Sequence, residues 1–198
     1  MAVNAKGNAL AGLRRGDEGA KLLEENNRRC VANGDLHQLD TSAPAVAVCK
    51  ILQGNIGAGI RCLEQQISTR EKEDYRALAH WAGYFLSEVY LEIIGSGEKL
   101  PFLTLLRNLP TLLKVRATAS WRIREVVARF LEEPRFDPDA WCPGCGHRRL
   151  GLLYKAKKQR ALAVQHLTDA RRFLSPFGQT PQLARVEAAL AELRYPLA

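Results

Sequence analysis

Hydrophobic residues recur at intervals of three and four along most of this chain, which is the period of an amphipathic helix. One such stripe lies between Leu78 and Ile94 and consists of Leu78, Trp81, Phe85, Leu86, Val89, Tyr90 and Ile93. No stretch sustains the two-residue alternation of a half-buried strand, so no sheet is predicted. The pattern therefore predicts an all-α fold, with antiparallel helical hairpins stacked as a repeat superhelix, or α-solenoid.

Helices are predicted over residues 3–13, 18–30, 45–52, 56–67, 73–94, 117–132, 144–156, 160–174 and 182–193. A polar loop is expected up to Ser42, and Ser68 with Glu71 is interpreted as a capping box for the helix that follows. Thr180 is predicted to cap the last helix, because Pro181 fits its first position.

Two proline-containing stretches interrupt the regular pattern. Pro101 to Val115 is apolar but contains Pro110, so it is predicted to be an inserted helix that is kinked or broken. A loop is predicted around Pro134, Pro138 and Pro143.

The best-defined hairpin is predicted over residues 144–175, followed by a closing helix over 181–194. Its order Leu-Gly-x2-Tyr-x8-Ala-x3-Leu-x2-Ala resembles the core of a tetratricopeptide repeat, a helix-turn-helix unit of about 34 residues. Small residues would sit where two helices cross, and larger ones would fill the space beside them. The residues that define the pattern are Leu150, Gly151, Tyr154, Ala163, Leu167 and Ala170.

Weaker traces of the same repeat occur earlier in the chain. Gly19 and Gly59 lie 40 residues apart and take the place of Ala163 in the better repeat. Leu86 and Tyr90 reproduce the Leu-x3-Tyr spacing. We therefore predict one repeat domain over residues 1–198, with an irregular insertion at about 98–116.

Longer phrases carry a more specific resemblance. Residues 151–157, 163–172 and 183–193, with 85–94 and 98–110, are similar to the tetratricopeptide region of bacterial class III adenylate/guanylate cyclase-related proteins. The resemblance implies a regulatory or protein-interaction segment of a signalling protein. No enzyme activity is predicted, because the chain has no room for a cyclase domain and lacks the Gly-x4-Gly-Lys-Ser/Thr loop of an ATPase. No cofactor is predicted either.

Composition indicates a soluble globular protein, expected in the cytoplasm, with no membrane partner. The five cysteines are an odd number in a chain of ordinary size, which favours free thiols over a disulfide framework.

The net charge of +8 is concentrated near the C-terminal hairpin. Between His147 and Leu174, Asp169 is the single acid among eight basic residues, Arg148, Arg149, Lys155, Lys157, Lys158, Arg160, Arg171 and Arg172. We predict that they form a basic surface. It is either an ordinary solvated face or a site for a protein or peptide partner, for another domain of a parent protein or for nucleic acid.

The Cys142-x2-Cys145-x-His147 motif has no role in the repeat. If a helix begins at Gly144, Cys145 lies in its first turn, where the helix dipole lowers a thiol pKa. A redox pair and a zinc site formed with His147 are the chemical alternatives. Both are less favoured than free thiols, because no strand-helix context and no nearby fourth ligand are visible.

Other residue patterns are assigned to packing. Gly54-x2-Gly57-x-Gly59 lacks the lysine and strand of a phosphate loop, so a close helix crossing is expected there. His80 and His166 are assigned to packing or surface, and the aromatic residues around Trp81 to the core.

Overall fold

The computed structural model describes residues 2–13, 15–95, 102–132 and 141–194. Within these ranges all regular elements are helical and no strand occurs, which confirms the all-α prediction. The helices are α1 Ala2–Gly12, α2 Gly16–Asn33, α3 Leu36–Leu52, α4 Ile56–Lys72, α5 Arg76–Gly95, α6 Phe102–Glu132, α7 Trp141–Ala156, α8 Arg160–Leu174 and α9 Pro181–Arg194, with a short 3-10 turn at Ser175–Phe177. None of the helices in these ranges is both long and apolar enough to cross a membrane.

The chain packs as two compact units. The first comprises the described residues of Met1–Val89 and Glu98–Lys114, and the second those of Tyr90–Gly97 and Val115–Ala198. In the first unit α2 packs against α1 and α3, and α3 against α4. In the second unit α8 packs against both α7 and α9, around the buried residues Leu153, Leu167, Leu174 and Val186.

The polar loop predicted up to Ser42 is wrong, because α3 begins at Leu36. Gly34 ends α2 in the left-handed conformation with φ of 69°, which its missing side chain allows. Asp35 then caps α3, since its carboxylate accepts the backbone N–H of Gln38 at 3.1 Å. Pro44 lies inside the helix.

The predicted capping box at Ser68 is also wrong, because Ser68 and Glu71 both lie within α4, which continues to Lys72. The next helix, α5, begins only at Arg76. Its predicted apolar stripe is partly wrong, because Trp81 is exposed. The Trp81 ring stacks on Tyr84 at 5.8 Å and meets Phe85 edge-on at 5.0 Å.

The predicted break around Pro110 does not occur, because α6 runs without interruption from Phe102 to Glu132. Pro110 is exposed, so the lost backbone hydrogen bond lies on the solvent side of the helix. The buried positions of α6 follow helical spacing and are Asn108, Leu112, Val115, Ala119, Ile123 and Val127.

Buried Asn108 completes the turn between α3 and α4. The N–H of Gly57 donates to Asn108 Oδ1 at 3.2 Å, and Asn108 Nδ2 donates to the carbonyl oxygen of Gly54 at 2.8 Å. Gly57 is the second residue of α4, where a helix has N–H groups without an intrahelical acceptor. Asn55, the residue at the N-cap position, makes no capping bond with its own side chain. A residue of α6 therefore caps α4.

The C-terminal helices begin close to their predicted positions. α7 starts at Trp141, so Pro143 lies in its first turn rather than in a loop. The predicted Thr180 cap is confirmed, since Thr180 Oγ1 accepts the N–H of Leu183 at 3.2 Å. Pro134, Pro138 and residues 98–101 of the predicted insertion lie outside the described residues.

Candidate functional site

Two imidazoles and a carboxylate meet across the α7–α8 hairpin. His147 projects from α7, and His166 and Asp169 project from successive turns of α8. The Nδ1 atoms of His147 and His166 lie 3.1 Å apart, and Asp169 Oδ2 lies 3.8 Å from His147 Nδ1. The three donor groups lie within 4.8 Å of one another. This His147–His166–Asp169 group is called the histidine cluster below.

Aromatic rings hold both imidazoles from outside the cluster. The His147 ring stacks on Phe173 at 5.6 Å with an interplanar angle of 17°. The His166 ring stacks on Tyr154 at 5.4 Å with an angle of 12°. Stacking on one aromatic ring from each helix therefore restrains the planes of the two imidazoles.

Burial shifts both histidines toward the neutral form. Loss of solvent lowers the pKa of His147, with Asp169 opposing the shift and with His166 and Arg172 adding to it. Burial also lowers the pKa of His166, again against Asp169. At neutral pH the cluster therefore holds neutral rings, each with a free lone pair on one nitrogen.

The sequence did not predict this cluster, although one half of it is visible there. His166 and Asp169 are three residues apart, the spacing that places two side chains on one helix face. His147 had been grouped with Cys142 and Cys145 because they are close in sequence. The fold instead turns His147 toward α8.

The early start of α7 changes the surroundings of both cysteines. Cys142 is the second residue of α7 and lies in its first turn, where the helix dipole favours a thiolate. Because α7 begins at Trp141, Cys145 is its fifth residue. It therefore lies beyond the first turn, and the first turn is the part of a helix in which the dipole lowers a thiol pKa. Burial raises the pKa of the Cys142 thiol, although Arg149 opposes the shift. Neither cysteine forms a disulfide, and Cys145 is buried. A raised pKa disfavours the reactive thiolate, so the geometry does not support the redox hypothesis.

The predicted basic surface is smaller than expected. Arg148 and Arg149 are 1% and 2% exposed, so they belong to the core and not to a binding surface. The guanidinium Nη1 of Arg149 donates to the carbonyl oxygen of Cys145 at 2.8 Å. Lys155 pairs with Glu192 of α9 at 2.5 Å. The residues that remain exposed are Lys157, Lys158, Arg160, Arg171 and Arg172.

The residues assigned to packing lie mainly in helix contacts. A Cβ at Gly151 would lie 2.6 Å from Leu167 Cγ, and Ala163 and Ala170 are fully buried. Leu86 and Tyr90 of α5 are buried too, whereas Leu150 and Tyr154 are half-buried. A Cβ at Gly19 would lie 3.1 Å from the sulfur of Cys49 in α3.

A second surface feature lies on the first half of α6. Leu103 is 77% exposed, Leu106 and Leu113 are 60% exposed, and Leu105 and Leu109 are exposed as well. Leu103, Leu106, Pro110 and Leu113 follow one another at helical spacing and share one side of the helix. Together with Leu105 and Leu109, these positions form the exposed surface that we call the leucine face of α6. The leucines are evident in the sequence. Because a break was expected at Pro110, the sequence analysis did not predict that they would share the exposed side of one continuous helix.

Comparison with known proteins found no matching protein-family model, no matching curated protein and no matching solved structure.

Proposed function

We propose that this chain is a non-catalytic protein-interaction module whose leucine face binds an amphipathic helix of a protein partner. The observation that carries the proposal is the exposure of five leucines within eleven residues of α6. Soluble monomers rarely leave so much contiguous apolar surface in water, because its removal from water is favourable. A helix that presents an apolar face of its own would cover it.

The charges on α6 indicate the chemistry of this partner. Within residues 102–114 the helix carries the basic Arg107 and Lys114 and no acidic residue. A partner helix with acidic residues beside its apolar face would complement these charges and approach the leucine face faster. The resemblance of residues 150–170 to a tetratricopeptide repeat supports the same role, because such hairpins serve as binding surfaces. More specifically, we propose that this chain is the interaction segment of a larger nucleotide-cyclase-related signalling protein.

A photo-crosslinking residue at Leu106, introduced into the full chain in its own cells, tests the proposal. The expected result is one discrete adduct with a different protein, which disappears when Leu103→Glu and Leu113→Glu are added. Gln165, which is exposed on α8, carries the crosslinker in the matched control and should give no such adduct.

Three results would contradict this function. An adduct of the chain with itself would identify the leucine face as a dimer interface. Cosedimentation with anionic lipid vesicles, lost in the double glutamate variant, would assign α6 to a membrane surface instead. Equal labelling from Leu106 and Gln165 would show that the leucine face has no specific partner.

A further inference from the structure

The donor atoms of the histidine cluster are spaced as ligands of one ion would be. Zinc binds imidazole nitrogen at about 2.0–2.1 Å and carboxylate oxygen at about 2.0–2.2 Å, so neighbouring ligands of a tetrahedral site lie about 3.3 Å apart. The observed separations of 3.1 Å between the two Nδ1 atoms and 3.8 Å between His147 Nδ1 and Asp169 Oδ2 bracket that value. The third separation, between the donor atoms of His166 and Asp169, is at most 4.8 Å, so side-chain rotation must draw these two atoms together around an ion.

The rings are already oriented for a shared ligand. One Nδ1–H can donate to the other Nδ1, and stacking on Phe173 and Tyr154 restrains the planes of both rings. Binding of a cation requires the proton to move to Nε2, which leaves both Nδ1 lone pairs for the ion.

The carboxylate presents one oxygen to the cluster and the other to a neighbouring cation. Arg172 Nη2 lies 3.8 Å from Asp169 Oδ1, whereas Oδ2 faces His147. Arg172 is largely exposed and its guanidinium lies over the Phe173 ring. Its charge opposes a second cation, but its position outside the cluster leaves Oδ2 available and holds the carboxylate from behind.

The structure assigns a further site: we propose that His147, His166 and Asp169 bind one late divalent transition-metal ion such as Zn²⁺ between α7 and α8. Two nitrogen donors with one oxygen favour zinc and its neighbours over calcium and magnesium, which prefer oxygen ligands throughout. Three protein ligands leave one coordination position of a tetrahedral ion open to water. The site does not depend on the proposed role of the leucine face.

Titration of the purified full chain with Zn²⁺, followed by calorimetry, tests the proposal. We expect one ion per chain, and we expect Asp169→Asn and His166→Asn each to raise the Kd at least about tenfold, a loss that follows even from disturbing the outer partners of metal ligands. Asp169→Asn keeps the size of the side chain, so it remains informative if His166→Asn impairs folding. Circular dichroism of each variant establishes that it is folded.

Matched controls separate this site from other sources of binding. His37→Ala removes an exposed histidine of α3, and Cys142→Ser with Cys145→Ser removes the thiols, and both variants should keep the affinity for Zn²⁺. The Co²⁺ complex should show no thiolate charge-transfer band. Loss of binding in the cysteine variant, or equal weakening in all variants, would overturn the proposal. So would the absence of saturable Zn²⁺ binding, or equally tight binding of Ca²⁺.

Discussion

The α3–α4 and α7–α8 hairpins both cross over a glycine, but the two glycines contact different parts of the facing helix. A Cβ at Gly59 of α4 would meet the side chain of Ile51 and would lie 2.6 Å from the carbonyl oxygen of Ala47. A Cβ at Gly151 of α7 would lie 2.6 Å from Leu167 Cγ and 3.0 Å from the Leu167 backbone nitrogen. The first crossing is limited by backbone, and the second mainly by a side chain.

The two hairpins also differ in the polar residues that they contain. At the crossing of α3 and α4, Gly59 lies against Ile51 and the backbone of Ala47, and an ion pair between Arg70 and Asp40 also joins the two helices. In the second hairpin, α7 carries the buried Arg148 and Arg149, and the histidine cluster joins α7 to α8. Where a glycine allows two helices to approach closely, the neighbouring positions need not be small residues as well. Those positions can then carry histidine, aspartate or arginine without opening the hairpin.

The largest expected effect follows from Gly59→Ala. The new methyl group would press on a backbone carbonyl that cannot rotate away, so we expect a loss of about 3 kcal/mol in the free energy of unfolding. Urea denaturation measures it. Gly95→Ala is the matched control, since a Cβ at this end of α5 would meet no atom of the described residues within 4 Å. A loss below about 0.5 kcal/mol, the range of ordinary surface changes, would mean that the α3–α4 crossing is looser than described.

Gly151→Ala should cost less, about 1–2 kcal/mol, because the Leu167 side chain can turn away from the added methyl group. The measurement is again the urea midpoint at unchanged slope. If Gly151→Ala cost as much as Gly59→Ala, the distinction between a backbone-limited and a side-chain-limited crossing would fail.

Asn108→Ala tests how the α3–α4 turn is completed. The variant leaves the N–H of Gly57 and the carbonyl oxygen of Gly54 without the amide partner that they have in the structure. We expect a loss of about 1 kcal/mol. Asn55→Ala is the control, because Asn55 makes no side-chain capping bond despite its position before α4. A larger loss from Asn55→Ala would assign the cap to Asn55.

The smallest effects concern two thiols, one from each hairpin. Burial raises the pKa of Cys49 in α3, with Glu24 and Asp17 adding to the shift, and burial also raises the pKa of Cys142 in α7. Both thiols therefore hold less thiolate at neutral pH than an ordinary cysteine. Iodoacetamide should react with each more slowly than with the urea-unfolded chain, and the rate should rise as pH increases through the usual thiol range and beyond. If Cys142 reacted as fast in the folded chain as in the urea-unfolded chain, the result would support the redox hypothesis.

The helix period carried most of the fold information. Thr180 marked a true helix end, because a side-chain cap is a local feature. The errors arose where contacts with residues distant in sequence determine whether a helix continues. Pro44 and Pro110 were expected to interrupt or delay helices, yet both lie inside them. Ser68 had the spacing of a cap but lies within α4.

The candidate site was less accessible from sequence for the same reason. The spacing between His166 and Asp169 is local, but His147 joins them only after α7 and α8 pair. Hydropathy likewise suggested that Arg148 and Arg149 face solvent, whereas the fold buries them. A charge pattern alone gives no information about which basic side chains are enclosed.

The Asn108 cap has a consequence for the order of folding. Its bond to Gly57 joins residues 51 positions apart, so the loop between them must close before the bond can form. The contacts between α3 and α4 are local by comparison and can form first. We therefore expect the cap to form late in folding, after the main barrier. Its removal should accelerate unfolding and leave the folding rate nearly unchanged, which makes Asn108 a determinant of how long the native state persists.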